Sequence, residues 1–145
     1  MNIIKKITTQ DTFLVRNLVL RPSKPIETCF FEGDDLIDTR HFGLFMDRKI
    51  IGVISIYKNK NAIFMNPNQY QIRGMAVLKE FQERGYGKLL VEHCEEYLKH
   101  NDTKLIWFNA RETAIPFYEK LGYTKNGFPF MIANVGTHFL MFKSF

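Results

Sequence analysis

Cysteine is scarce in this chain: Cys29 and Cys94 are the only two among 145 residues. Their separation matches no metal-ligand spacing, and Cys94 falls on the apolar side of an expected helix. Both therefore read as reduced thiols, which argues against a disulfide scaffold, a cysteine nucleophile or a bound metal. No apolar run approaches the length needed to span a bilayer, and Met1-Asn2-Ile3-Ile4-Lys5-Lys6 holds no signal-type core, so a cytoplasmic protein without membrane contact is expected. Blocks of one charge are missing as well. The net charge is +5, yet Lys5, Lys6, Lys58, Lys60, Lys79, Arg84, Lys88, Lys99 and Lys104 are scattered along the chain. Without a dense basic stripe a nucleic-acid partner is not expected, although the positive surplus favours some anionic ligand. Internal repeats, low-complexity tracts and linkers are also lacking.

What is present is the material of one domain, residues 1–145, with a single core. Hydrophobic residues make up 46% of the chain, 14 of them Phe, which suits a well-filled core or an apolar channel. Residues 2–7 read as a first strand. Thr8 and Thr9 offer N-caps for a helix that runs through Phe13, Leu14 and Leu18 until Pro22 stops it. Residues 22–38, with two prolines, Gly33 and the acids Glu32, Asp34 and Asp35, read as a long loop, either functional or a solvated insertion. Two strand-like runs, 41–46 and 50–57, joined by a polar turn, make a hairpin. A strand over 70–78 changes phase: Tyr70 and Ile72 are apolar at even positions, Met75 and Val77 at odd ones. Strict alternation makes such a switch the mark of an inserted residue, so a β-bulge is expected near Gly74 and Met75. A helix with Leu90, Cys94 and Leu98 on one face and Glu92, Glu95 and Glu96 elsewhere leads to the apolar run Leu105-Ile106-Trp107-Phe108. Residues 70–110 thus form a β-α-β unit. A short helix around Pro116 ends at Gly122, and the tail reads as two antiparallel strands turning at Gly136.

Between strand and crossover helix lies Gln82-Glu83-Arg84-Gly85-Tyr86-Gly87-Lys88. The first N–H groups of a helix lack intrahelical partners, the helix dipole adds partial positive charge there, and Gly85 and Gly87 let a ligand approach the backbone closely. By itself the pattern is either a tight turn or an anion site.

Its neighbours favour the second reading. The segment Gln82-Glu83-Arg84-Gly85-Tyr86-Gly87 resembles the acetyl-CoA signature of the GNAT acyltransferase superfamily, Gln/Arg-x-x-Gly-x-Gly/Ala. In the right order, Arg73-Gly74-Met75-Ala76-Val77 is similar to that family's bulged fourth strand and Trp107-Phe108-Asn109-Ala110 to the end of its fifth. Ala114 to Tyr123, with Phe117-Tyr118 and Gly122-Tyr123, is similar to its Phe-Tyr-x-x-x-Gly-Phe/Tyr helix. One departure is Leu78-Lys79, where an Asp-Pro pair is common. The resemblance implies an α/β fold, α+β in some schemes: a mixed, strongly twisted sheet of about seven strands with a splayed, bulged central strand, flanked by about four helices.

It also implies an N-acetyltransferase that moves an acetyl group from acetyl-CoA to a primary amine, of a small molecule or a peptide, by direct attack in a ternary complex. The alternative is a CoA-binding sensor or regulatory module without turnover, and homodimer formation stays open. Backbone amides from Glu83 to Lys88, with Gln82 in the same turn, would cradle the pyrophosphate. Met75 and Val77 would pair with the pantetheine, and a donor near Met75 or Ala76 would polarise the thioester. Asn109 would hold the pantetheine arm. Tyr118 would act as general acid toward the leaving thiolate, or only bond the cofactor. A base is needed because an alkyl amine of pKa about 10.4 is almost wholly protonated at neutral pH; Glu32, His41 and His138 are its candidates and the candidate acceptor-site residues. Arg21 is a further candidate contact for an acidic acceptor group.

Overall fold

The computed structural model describes residues 2–145. In chain order come β1 (Asn2–Ile7), the helix α1 (Phe13–Val15) and the hairpin β2 (Arg40–Met46) and β3 (Lys49–Tyr57). The crossover unit follows: β4 (Gln69–Val77), α2 (Tyr86–His100) and β5 (Leu105–Arg111). Then come α3 (Ile115–Lys120), β6 (Thr124–Ile132) and β7 (Gly136–Ser144). The seven strands form one sheet in the order β1-β2-β3-β4-β5-β7-β6, with β4 and β5 parallel and every other pair antiparallel. Three helices stand where about four were expected. Pro22, Pro25 and Gly33 break residues 22–38 into turns, with a single 3-10 turn at Ile26–Cys29.

α1 is the short centre of a helical segment whose pitch widens along its length, from a 3-10 turn (Gln10–Thr12) to a π turn (Arg16–Leu20). Its start is a reciprocal cap: Thr8 N donates to Asp11 Oδ2, and Asp11 N donates to Thr8 Oγ1. Its buried stripe holds Thr12, Val15 and Arg16. α2 buries Leu90, Val91, Cys94 and Leu98 against the sheet. Glu95 joins them instead of facing solvent: it accepts hydrogen bonds from Tyr123 Oη at 2.7 Å and Lys143 Nζ at 3.1 Å, tying α2 to β7. Cys94 is fully buried, and that burial pushes its thiol well above the ordinary range, consistent with an inert core residue.

The pairing that matters most is the shortest. β4 and β5 are in register only at Gln69–Gln71 against Leu105–Trp107. At that closed end Gln69 is buried and fully used: its Oε1 accepts from Asn61 N, and its Nε2 donates to the carbonyls of Asn61, Phe64 and Asn66. Trp107 Nε1 adds a bond to Asn59 O. Beyond Gln71 and Trp107 the ladder stops and the strands part. The cause lies on the other side of β4, where Ser55 pairs with Arg73 but Val53 pairs with Ala76, so that Ile54 alone faces Gly74 and Met75. This is the bulge that the phase switch foretold, and Gly74 adopts φ +66° to make it.

A Cβ on Gly74 would lie 3.1 Å from Phe31 and 3.4 Å from Arg16 Nε, in a backbone conformation that L-residues resist. We expect Gly74→Ala to lower unfolding stability by about 1–2 kcal/mol from the left-handed backbone alone. Urea unfolding monitored by Trp107 fluorescence would measure it. An unchanged midpoint would show that the bulge does not constrain β4.

Candidate active site

A cavity of about 680 Å³ occupies the gap where β4 and β5 separate. Arg73, Gly74 and Met75 form one wall, and Phe108, Asn109 and Arg111 the other. α3 closes one side with Tyr118, Val19 and Leu20 come from the π turn, Phe31 comes from the long loop, and Ile132, Val135 and His138 come from the β6–β7 hairpin.

The glycine turn sits at the far end of β4. Gln82 Nε2 donates to Val77 O at 2.9 Å and so fastens the turn to the strand end. Glu83 and Gly85 both take positive φ, +62° and +87°, which turns successive amides toward a common side. The first amide to close the helix is that of Leu89, bonded to Gly85 O. Among the described residues no protein acceptor is found for the N–H groups of Arg84, Gly85, Tyr86, Gly87 and Lys88. Gly87 lies beside Phe117 and Met75, with ideal Cβ distances of 3.4 and 3.7 Å, which links the turn to both α3 and the bulge. Such a ring of free donors at a helix start suits a phosphate.

Tyr118 is wedged between aromatic rings, 4.3 Å from Phe108 and 5.0 Å from Phe117, centroid to centroid. Burial pushes its phenol up to about 12, so it holds its proton throughout the neutral range. Its hydroxyl has no protein partner among the described residues. His138 is buried on β7, opposite Arg111 in register. Its Nδ1 lies 2.8 Å from Gly136 O; a carbonyl only accepts, so Nδ1 carries a hydrogen, and in the neutral ring Nε2 is the nitrogen with the lone pair. Ala76 and Val77 are buried in β4, while Asn109 is exposed at the gap.

The other two base candidates are not among the residues that line the cavity. Glu32 is exposed; its backbone carbonyl accepts from Arg73 Nη1 at 2.9 Å. His41 is buried with both ring nitrogens engaged, Nδ1 with Ser55 Oγ at 2.6 Å and Nε2 with Asp34 O at 3.0 Å. Burial depresses its pKa, only partly offset by Asp34, which leaves a neutral structural imidazole. Arg21 Nε donates to Thr28 Oγ1 at 2.9 Å, and the residue is not among those lining the cavity.

His41 belongs to a network that nothing in the sequence motifs announced. Arg16, fully buried, forms a fork with Asp34 at 2.6 and 3.1 Å and donates to Cys29 O, Ser55 Oγ and Tyr57 Oη. Its guanidinium lies 4.0 Å from the centre of the Phe31 ring, directly under Gly74. Tyr57 Oη and Phe31 N donate to Asp34 as well. Burial alone would raise the Asp34 carboxyl, but the hydrogen bonds from Arg16, Tyr57 and Phe31 and the charge of Arg16 outweigh it and hold the group below the ordinary carboxylate range. The signal for this pair was an arginine in the core-facing stripe Thr12-Val15-Arg16-Val19, where a residue of that type needs a buried partner.

The model of the Acetyltransferase (GNAT) family matches residues 9–123, more than half of the chain. The chain belongs to the GNAT acetyltransferase family. It is therefore an acyltransferase of a family that uses acetyl-CoA. A GNAT relative from Bacillus subtilis (strain 168), named uncharacterized N-acetyltransferase YitI, is 32% identical over 141 residues, covering 97% of this chain and 95% of its own. Among solved structures, the ribosomal-protein-S18-alanine N-acetyltransferase from Escherichia coli superimposes with a TM-score of 0.77 at 18% identity, covering 99% of this chain and 94% of that one. An aminoglycoside 6'-N-acetyltransferase complexed with coenzyme A gives 0.76 at 15% identity, covering 98% and 96%. These two likenesses establish the shared GNAT fold.

Because the folded-state pKa of Asp34 is depressed, its contribution to stability is fully present above about pH 4 and is lost as pH falls through that lower value. We expect Asp34→Asn to cost about 3–5 kcal/mol at pH 7 by stranding Arg16, with the gap to wild type shrinking at the acid end. Urea melts across pH 2–7 measure both; a constant gap would show that Asp34 is not the titrating group.

Proposed function

We propose that the chain catalyses transfer of an acetyl group from acetyl-CoA to a primary amine, by direct attack within a ternary complex seated in the β4–β5 gap. The observation that carries this reading is an adjacency: the turn at 84–88, with its free amides, places Gly87 against Met75 at the bulge, and Met75 in turn lines a cavity that also holds the protonated Tyr118 phenol and the His138 imidazole. Each part meets one chemical need of the reaction. The amides suit the pyrophosphate, each charge-assisted bond worth about 1.5–3 kcal/mol. The β5-facing backbone edge of β4 around Met75 to Val77, which lies beyond the end of the β4–β5 ladder, suits the pantetheine amides, and Asn109 suits the same arm from the opposite strand. Bound there, acetyl-CoA supplies an activated acyl carbon.

The remaining steps belong to the protein. His138 Nε2 takes a proton from the acceptor ammonium and leaves an amine lone pair. A bulge amide near Met75 or Ala76 stabilises negative charge on the acyl oxygen. The C–N bond forms and the C–S bond breaks, and Tyr118 gives its proton to the departing sulfur. The proton that the nitrogen sheds returns the phenolate to its neutral form, so the reaction releases CoA as a thiol beside the acetylated amine.

Two measurements test this. Calorimetry should show acetyl-CoA binding, and thiol release on an amine panel should show turnover. Binding without turnover would point to a sensor instead; no binding would remove the reading altogether. Tyr118→Phe should lower kcat by about 100-fold or more while the melting temperature stays put, because the hydroxyl bonds no protein group. Unchanged kcat from pH 6 to 10 would contradict the assignment of Tyr118.

A further inference from the structure

The acceptor end of the cavity carries a charge pattern that restricts what enters it. No Asp or Glu is among its lining residues, whereas Arg73, Arg111 and His138 are. The other arginine close by, Arg16, is already neutralised by Asp34; Arg73 and Arg111 have no carboxylate partner among the described residues. Arg73 is held in place without being used up. Its guanidinium packs 4.7 Å from the Tyr57 ring centre and 5.6 Å from that of Phe31, and one N–H goes to Glu32 O. A guanidinium has five N–H groups, so a fork remains free for a planar anion. Arg111 stands across from His138 on the neighbouring strand. Neither arginine belongs to the turn at 84–88, so the pyrophosphate end has its own donors.

Resting on the transferase reading above, we propose that the acetyl acceptor is a small amine that also carries a carboxylate. Arg73 and Arg111 grip the acid group, and His138 meets the amine. Val19, Leu20, Phe31, Ile132 and Val135 give the rest of the molecule an apolar wall. A polycationic acceptor is disfavoured by the same pattern, because it would enter a cavity walled by two positive charges with no carboxylate to receive it.

The test compares α-, β- and γ-amino acids, phenylalanine and leucine among them, with their own carboxamides, and includes spermidine as a cationic control. Rates are read as CoA thiol release at saturating acetyl-CoA. The carboxamide has the less basic amine, so a preference for the acid cannot come from amine protonation. We expect kcat/KM for the best amino acid to exceed that of its carboxamide by about tenfold or more, with spermidine inactive. In Arg73→Gln and Arg111→Gln that ratio should fall, to below about threefold in at least one of them, through KM. The dissociation constant of acetyl-CoA in both variants should stay within about twofold of wild type. Carboxamides or spermidine serving as well as the acids would overturn the proposal. So would amino acids that are not acetylated at all, an acid preference that survives in both variants, or arginine variants that lose acetyl-CoA binding instead. If wild-type protein fails to bind acetyl-CoA, the transferase reading itself is what has failed.

Discussion

The architecture depends on one constraint: β4 cannot stay hydrogen-bonded to both neighbours along its whole length. Gly74 inserts a residue against β3, and β5 pairs with β4 only as far as Gln71. The bulge sits on the guanidinium of Arg16 and the ring of Phe31, both within reach of a Cβ that Gly74 lacks. Arg16 is in turn fixed by the Asp34 fork, and Asp34 by Tyr57. A fully buried ion pair is a poor source of net stability. Its value here is geometric, since it brings the long loop, α1 and β3 together behind the point where the sheet opens.

In the proposed reading the two ends of the site are built in different ways. The proposed phosphate end is made of backbone: positive φ at Glu83 and Gly85, free amides, and the Gln82 amide clipping the turn to Val77. The proposed acceptor end is made of side chains delivered from separate segments, among them Phe31 from the loop, Arg73 from β4, Arg111 from β5 and His138 from β7. Backbone geometry suits a ligand common to a whole family, while side chains from distant segments can change without disturbing it.

The same division explains what could be read without coordinates. The bulge was legible because a strand's period of two makes a one-residue insertion visible as a phase change at Gly74. The glycine turn, the crossover helix and the hairpins were legible because local chemistry sets them. His41, Glu32 and Arg21 were harder: each is the right residue type near the right strand or loop, but only packing decides which way it faces. Packing gave His41 to Ser55 and Asp34, Arg21 to Thr28, and left His138 at the cavity. Glu95 was misplaced for a related reason. Its partners Tyr123 and Lys143 lie 28 and 48 residues away, beyond the reach of any helical pattern. The Arg16 to Asp34 pair left one trace, a charge in an apolar stripe, which becomes informative only once its partner is known.

Amide hydrogen exchange with and without CoA tests the central claim most directly, because it reads the groove residue by residue. The claim that the cofactor lies in the β4–β5 gap with its phosphates on the helix start predicts slowed exchange at two places, Met75 to Val77 and Arg84 to Lys88, with the outer strands β1 and β2 unaffected. Protection centred anywhere else, or none at the bulge, would contradict it.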